Sequence, residues 1–180
     1  METTIVLVRH GETEWNRIRR VQGHTDVPLN DEGRRQARAL AEELDGEQVD
    51  AVYSSDLGRA RETAEILAET RGGNVIALPA LREKHFGTWE GLTDTEVHAR
   101  FPDATAGGWG DGETTEQLAL RVVAALEEIA AAHAGGLVLV VTHGGPLRAI
   151  LRHVESDGSP VANCGVVRLV ARAGSLRKVD

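Results

Sequence analysis

The sequence predicts a three-layer α/β/α sandwich with a largely parallel, mixed central sheet. Three observations lead there. Short aliphatic runs alternate with amphipathic stretches of helical period, the order that lays helices on both faces of a parallel sheet. The first run, Ile5-Val6-Leu7-Val8, is apolar at every position, as a strand covered on both faces must be. Val166 to Val170 and Leu176 to Val179 flank Ala173-Gly174-Ser175, a terminal hairpin that would make the sheet mixed.

The elements follow in order. After the first strand, Asn30 or Asp31 caps a helix with Ala37, Leu40, Ala41 and Leu44 on one side. Ala51-Val52-Tyr53 is a second strand. Ser54-Ser55-Asp56 supplies caps, with Asp56 read as a helix cap, for a helix carrying Leu57, Ala60, Ala64 and Leu67. Val75 to Leu78, closed by Pro79, is a third strand. Phe101 to Gly112, rich in glycine and alanine, reads as a loop that borders a pocket. Thr114 or Thr115 caps the longest helix, with Leu118, Val122, Ala125, Leu126 and Ile129 at the helical period. Leu137 to Val141 is a fourth strand, and Gly145 to Val154 the helix after it.

The bounds agree with this order. A chain of 180 residues is expected to form one domain, residues 1–180, with a core of its own. The net charge of −8 argues against a nucleic-acid partner, which calls for a surplus of Lys and Arg. No apolar run approaches the length of a bilayer span, so no membrane partner is expected. The single cysteine, Cys164, has no intramolecular partner, and the N-terminus lacks a signal-peptide pattern; the expected place is a reducing cytoplasm, with Cys164 a small buried residue. Oligomeric state is not readable.

In parallel sheets function gathers at the carboxyl ends of strands. The first strand ends in Arg9-His10-Gly11 and the fourth in Thr142-His143-Gly144-Gly145. The second leads to Arg59, one turn into the following helix, and the third to Glu83. Brought together, two imidazoles, two guanidiniums and a carboxylate make a phosphoryl pocket. Guanidinium forks bind phosphate oxygens in pairs, and a neutral imidazole attacks phosphorus. Arg9, Arg59 and a protonated His143 would stabilise the equatorial oxygens. Glu83 would protonate the leaving oxygen and then take a proton from water. This chemistry asks for no metal and no cofactor.

These residues, with Trp15-Asn16, Gln22-Gly23, Ser54-Ser55-Asp56-Leu57, Thr63-Ala64, Phe86-Gly87 and Trp89-Glu90-Gly91, resemble the histidine phosphatase superfamily, the phosphoglycerate mutase-like family. The resemblance spans nearly the whole chain in order. It implies the phosphoglycerate mutase-like fold, His10 as the phosphorylated nucleophile, Arg9, Arg59 and His143 as the phosphoryl clamp, and Glu83 as proton donor. Asn16, Gln22, Gly23 and Gly144 match positions bordering the substrate.

The family holds phosphatases and mutases. Glu83-Lys84-His85-Phe86-Gly87 leans toward the mutase pattern. Against it, Asp94 and Gly110-Asp111 after Trp109 stand where mutases carry the basic residues that grip a second anion, and acids there repel one. Gly112-Glu113-Thr114 also resembles the phosphatases. The reading is a phosphatase that takes a small phosphomonoester, releases inorganic phosphate and needs no metal. A cofactor-dependent phosphoglycerate mutase is the alternative. A metallohydrolase is disfavoured because no histidine pair has helical ligand spacing. An inactive phosphate-binding module is disfavoured because His10, Glu83 and His143 are all present. His133 and His153 are read as packing or capping groups.

Overall fold

The computed structural model describes residues 1–69, 71, 73–103, 111–154, 157–172 and 174–179. Its strands are β1 (Thr3–Arg9), β2 (Ala51–Ser54), β3 (Val75–Ala77), β4 (Leu137–Thr142), β5 (Val166–Arg172) and β6 (Ser175–Val179). They form one sheet in the order β3-β2-β4-β1-β5-β6. Pairing is parallel from β3 to β1 and antiparallel at β1–β5 and β5–β6, so the expected mixed sheet is present. The helices are α1 (Glu14–Arg17), α2 (Asp31–Glu43), α3 (Gly58–Glu69), α4 (Asp94–Arg100), α5 (Thr115–Ala132) and α6 (Gly144–His153). Single 3-10 turns occupy Pro79–Leu81 and Gly87–Trp89.

Strand alternation sorts the core into two layers. Val6, Val8, Leu139 and Val141 face α2 and α3, meeting Leu40, Ala41, Ala64 and Leu67. Ile5, Leu7, Val138 and Val140 face α5 and α6, meeting Leu118, Val122, Leu147 and Ile150. Covered on both sides, the middle of β1 is apolar, and Ile5 to Val8 are wholly buried.

The expected caps hold at two helices. The Asn30 side chain accepts from the Gly33 N–H, and Thr114 forms a capping box with Gln117. At α3 the expectation is corrected. Asp56 does not cap; its carboxylate takes both ends of the Arg82 guanidinium at 2.7 and 2.6 Å. The Gly58 N–H instead donates to Asp26, brought from a distant loop, and Ser55 Oγ accepts from the Leu57 N–H. A bidentate ion pair outcompetes a single capping bond for the same carboxylate.

Two short helices carry no periodic signal in the sequence. None of α1 and only Val97 of α4 is buried, so neither shows an apolar period, although Thr13 and Thr93 each form a capping box. Leu78 lies just outside β3, yet its N–H still donates to the Ser54 carbonyl. His133 caps α5 and sits 3.0 Å from the Tyr53 hydroxyl, a packing role as expected. Cys164 is half-buried rather than buried. Most of the loop expected at Phe101 to Gly112, including Trp109 and Gly110, lies outside the described residues, as does Ala173 of the hairpin turn.

Candidate active site

The site is a product of register. β1 and β4 are parallel neighbours with Arg9 opposite Thr142, so the next residue of each strand falls at the same end of the sheet. Those residues are His10 and His143. The His10 backbone N–H donates to the Thr142 carbonyl at 3.0 Å, and the two ring centroids stand 5.1 Å apart.

The protonation of His10 follows from its partner. Nδ1 lies 2.7 Å from the Gly11 carbonyl oxygen, which can only accept, so Nδ1 carries the hydrogen and Nε2 keeps its lone pair. His143 is wholly buried, and neither of its ring nitrogens has a partner among the described residues. Buried polar atoms left in this way mark a place for a polar ligand. Burial first, then the charge of Arg59, hold both imidazoles well below their ordinary 6.5. Both are therefore neutral near neutral pH, which corrects the expectation of a protonated His143 for the protein by itself. A phosphate dianion beside the ring would work in the opposite direction.

Arg59 is fully buried, an expensive location for a permanent charge. Its Nη1 donates to the Thr25 carbonyl at 2.9 Å and its Nη2 to the Gly23 carbonyl at 2.8 Å, leaving Nε unpartnered. Arg9 donates through Nη1 to the Val161 carbonyl at 2.7 Å, and its Nε is likewise without a partner. Burial opposes both guanidinium charges and the Glu83 carboxylate supports them. Glu83 is fixed by backbone: it accepts from the Lys84 N–H at 2.7 Å and from the Gly145 N–H at 3.1 Å, at the start of α6. A methyl group at position 145 would stand 2.1 Å from the Glu83 carboxylate, so this approach requires glycine there.

The four positions expected to border the substrate divide in two. Asn16 Oδ1 accepts from the Thr13 N–H and Gln22 Oε1 from the Thr13 hydroxyl. Both amide NH2 groups are left without a partner among the described residues. Gly23 and Gly144 instead border the arginines. The Gly23 carbonyl seats Arg59, and a Cβ on Gly144 would lie 3.6 Å from Arg9 Nε.

Several contributors were not identified from sequence. Arg121 donates to the Ala80, Arg82 and Glu83 carbonyls and pairs with Glu113, so it braces the whole segment ending in Glu83. A signal existed: an arginine between Leu118 and Ala125 on the apolar stripe of α5. His24 Nε2 lies 2.9 Å from the same Glu83 carbonyl. Glu90 accepts from the His24, Thr25 and Phe86 N–H groups and so shapes the loop whose carbonyls hold Arg59. Asn163 donates to the His10 carbonyl at 2.9 Å. Glu90 lies in the Trp89-Glu90-Gly91 motif, whereas nothing local marks His24 or Asn163.

The assembled set is a lone-pair nitrogen, a second imidazole with two open positions, two guanidiniums and a carboxylate, all on one crevice at the same end of the sheet. Among the described residues no three His, Cys, Asp or Glu side chains group as metal ligands.

The profile of the histidine phosphatase superfamily (branch 1) matches residues 5–178. The chain is 45% identical over 168 residues to the metal-independent phosphoserine phosphatase of Arabidopsis thaliana, covering 87% of this chain and 71% of that protein. It is 42% identical over 184 residues to the probable phosphoglycerate mutase GpmB of Serratia proteamaculans (strain 568), covering 98% and 84%. The solved structure of Bacillus stearothermophilus YhfR superposes with a TM-score of 0.89 at 32% identity, over 98% of this chain and 95% of that one.

Proposed function

Since the chain belongs to the histidine phosphatase superfamily, branch 1, we propose that it hydrolyses small phosphomonoesters, without a metal or cofactor, through a phosphohistidine at His10. The observation that carries this reading is the pairing of His10 with His143. One ring has its Nδ1 hydrogen committed to Gly11, freeing Nε2 for attack, and the other has two buried nitrogens open to an anion.

In the first step the Nε2 lone pair forms the N–P bond as the P–O ester bond breaks, and Glu83 gives its proton to the departing alkoxide. In the second, water attacks phosphorus, Glu83 takes its proton, and the N–P bond breaks to release phosphate. Arg9 and Arg59 meet the charge spread over the equatorial oxygens. The open amides of Asn16 and Gln22 suit the same oxygens.

The mutase alternative has two supports: the Lys84-His85 pattern and the likeness to GpmB. Against it, Asp94 lies in the first turn of α4, and Asp111 accepts from the Thr88 N–H, so both positions present acids. The test is phosphate release in chelator from a panel including phosphoserine and phosphoglycerates, for wild type and His10→Ala, with isomerisation followed with and without bisphosphoglycerate. We expect release by wild type and a loss of about a thousandfold or more in the variant. Retained release in the variant contradicts the phosphohistidine, fast isomerisation with little release establishes the mutase, and a loss in chelator reversed by metal establishes a metallohydrolase.

A further inference from the structure

A cavity of about 450 Å³ opens beside the reacting groups. Lys84 and Gly145, whose N–H groups hold the Glu83 carboxylate, both line it. It therefore begins on the leaving-group side of the crevice, where the alkoxide departs toward Glu83. One wall is apolar, formed by Val21, Phe86, Trp89, Val97 and Leu118.

Helix α6 also lines it, and contributes Arg148 and Arg152. These arginines are one helical turn apart, and Arg148 is itself one turn beyond Gly145, so all three share a face. Both side chains are exposed, and neither has an ion pair or hydrogen bond among the described residues. The lining carboxylate, Asp94, stands on α4 with His98 Nδ1 3.6 Å away, on a different element from the two arginines, so it disfavours an anion at its own position and not at theirs. Lys84 is engaged with Thr115. Among the described residues, the two guanidiniums are the lining cations with no ion pair or hydrogen bond. Along the helix they lie about 4.5 and about 10 Å from Gly145.

We infer that this cavity seats the leaving group of an amphipathic phosphomonoester whose far end carries a second anionic group, held by Arg148 and Arg152. The inference rests on the phosphatase reading and narrows its substrate class. The apolar wall takes the body of the leaving group, and the guanidinium forks take a carboxylate or phosphate in paired hydrogen bonds. A leaving group as small as serine would reach the first arginine at most and leave the apolar wall uncovered.

The test is a series of ω-carboxyalkyl phosphates of increasing length, each compared with its primary amide, with kcat/KM measured from phosphate release. Wild type should prefer the acid by about tenfold or more at chain lengths of roughly four to eight carbons. The ratio of acid to amide should collapse toward one in Arg148→Ala/Arg152→Ala and invert in Arg148→Glu/Arg152→Glu. Equal rates for acid and amide in wild type, or an acid preference that persists in the double alanine variant, overturn the inference and leave the phosphatase reading intact. Absence of release from every ester, the panel compounds included, removes both.

Discussion

The histidines at two strand ends were readable because chemistry restricts what an aliphatic run can end in, and Arg9-His10-Gly11 and Thr142-His143-Gly144 repeat one solution. Their protonation was not readable, since it depends on burial and on the orientation of a guanidinium from α3. Burial, then Arg59, then Arg9 disfavour the charged form of His10. Its ring therefore binds a proton less tightly in the folded chain than in the unfolded one. Two consequences follow with definite sign. The His10 ring resonances should titrate with a midpoint below 6.5 in an NMR pH series, and folded stability should fall as pH drops below 6.5 toward that midpoint. A midpoint at or above 6.5 contradicts the neutral nucleophile. Arg121 and His24, which reach the Glu83 carbonyl from different directions, show the complementary limit: their partners are backbone atoms far along the chain, and backbone carbonyls leave no mark in a sequence.

At the scale of elements, long periodic segments were legible and short polar ones were not. The helices α2, α3, α5 and α6 each bury a stripe, whereas α1 and α4 are held by capping boxes and loop bonds. Asp26 at the start of α3 was hidden for the same reason, since a cap supplied from another loop has no local pattern. The link between β1 and α2 is a backbone crossing that admits no side chain. A Cβ on Gly33 would stand 2.1 Å from the Glu12 carbonyl oxygen, and one on Gly11 would stand 2.5 Å from the Gly33 oxygen. Gly33→Ala must push the Gly11-Glu12 backbone aside, and the Gly11 carbonyl holds the His10 ring. We expect it to cost about 1–3 kcal/mol in urea unfolding, and to lower kcat. A variant as stable and active as the parent would show that the crossing has slack.

For the whole molecule, sheet order turns separate sequence motifs into one site. β4 lies between β2 and β1, so the carboxyl ends of the parallel strands deliver His143 beside His10, Arg59 lies within the first turn of α3, and Glu83 follows β3. A chain of net charge −8 thus concentrates cations at one end of the sheet, where a phosphomonoester needs them. In the proposed reaction His10 carries the phosphoryl group between two displacements. The most direct measurement is rapid quenching with base of enzyme mixed with excess substrate, followed by intact-mass and peptide-mapping analysis. We expect one phosphoryl group on the peptide holding His10, stable to base, labile to acid and missing in His10→Ala. Rapid turnover with no phosphoryl group on His10 at any quench time, or with one on another residue, would contradict it.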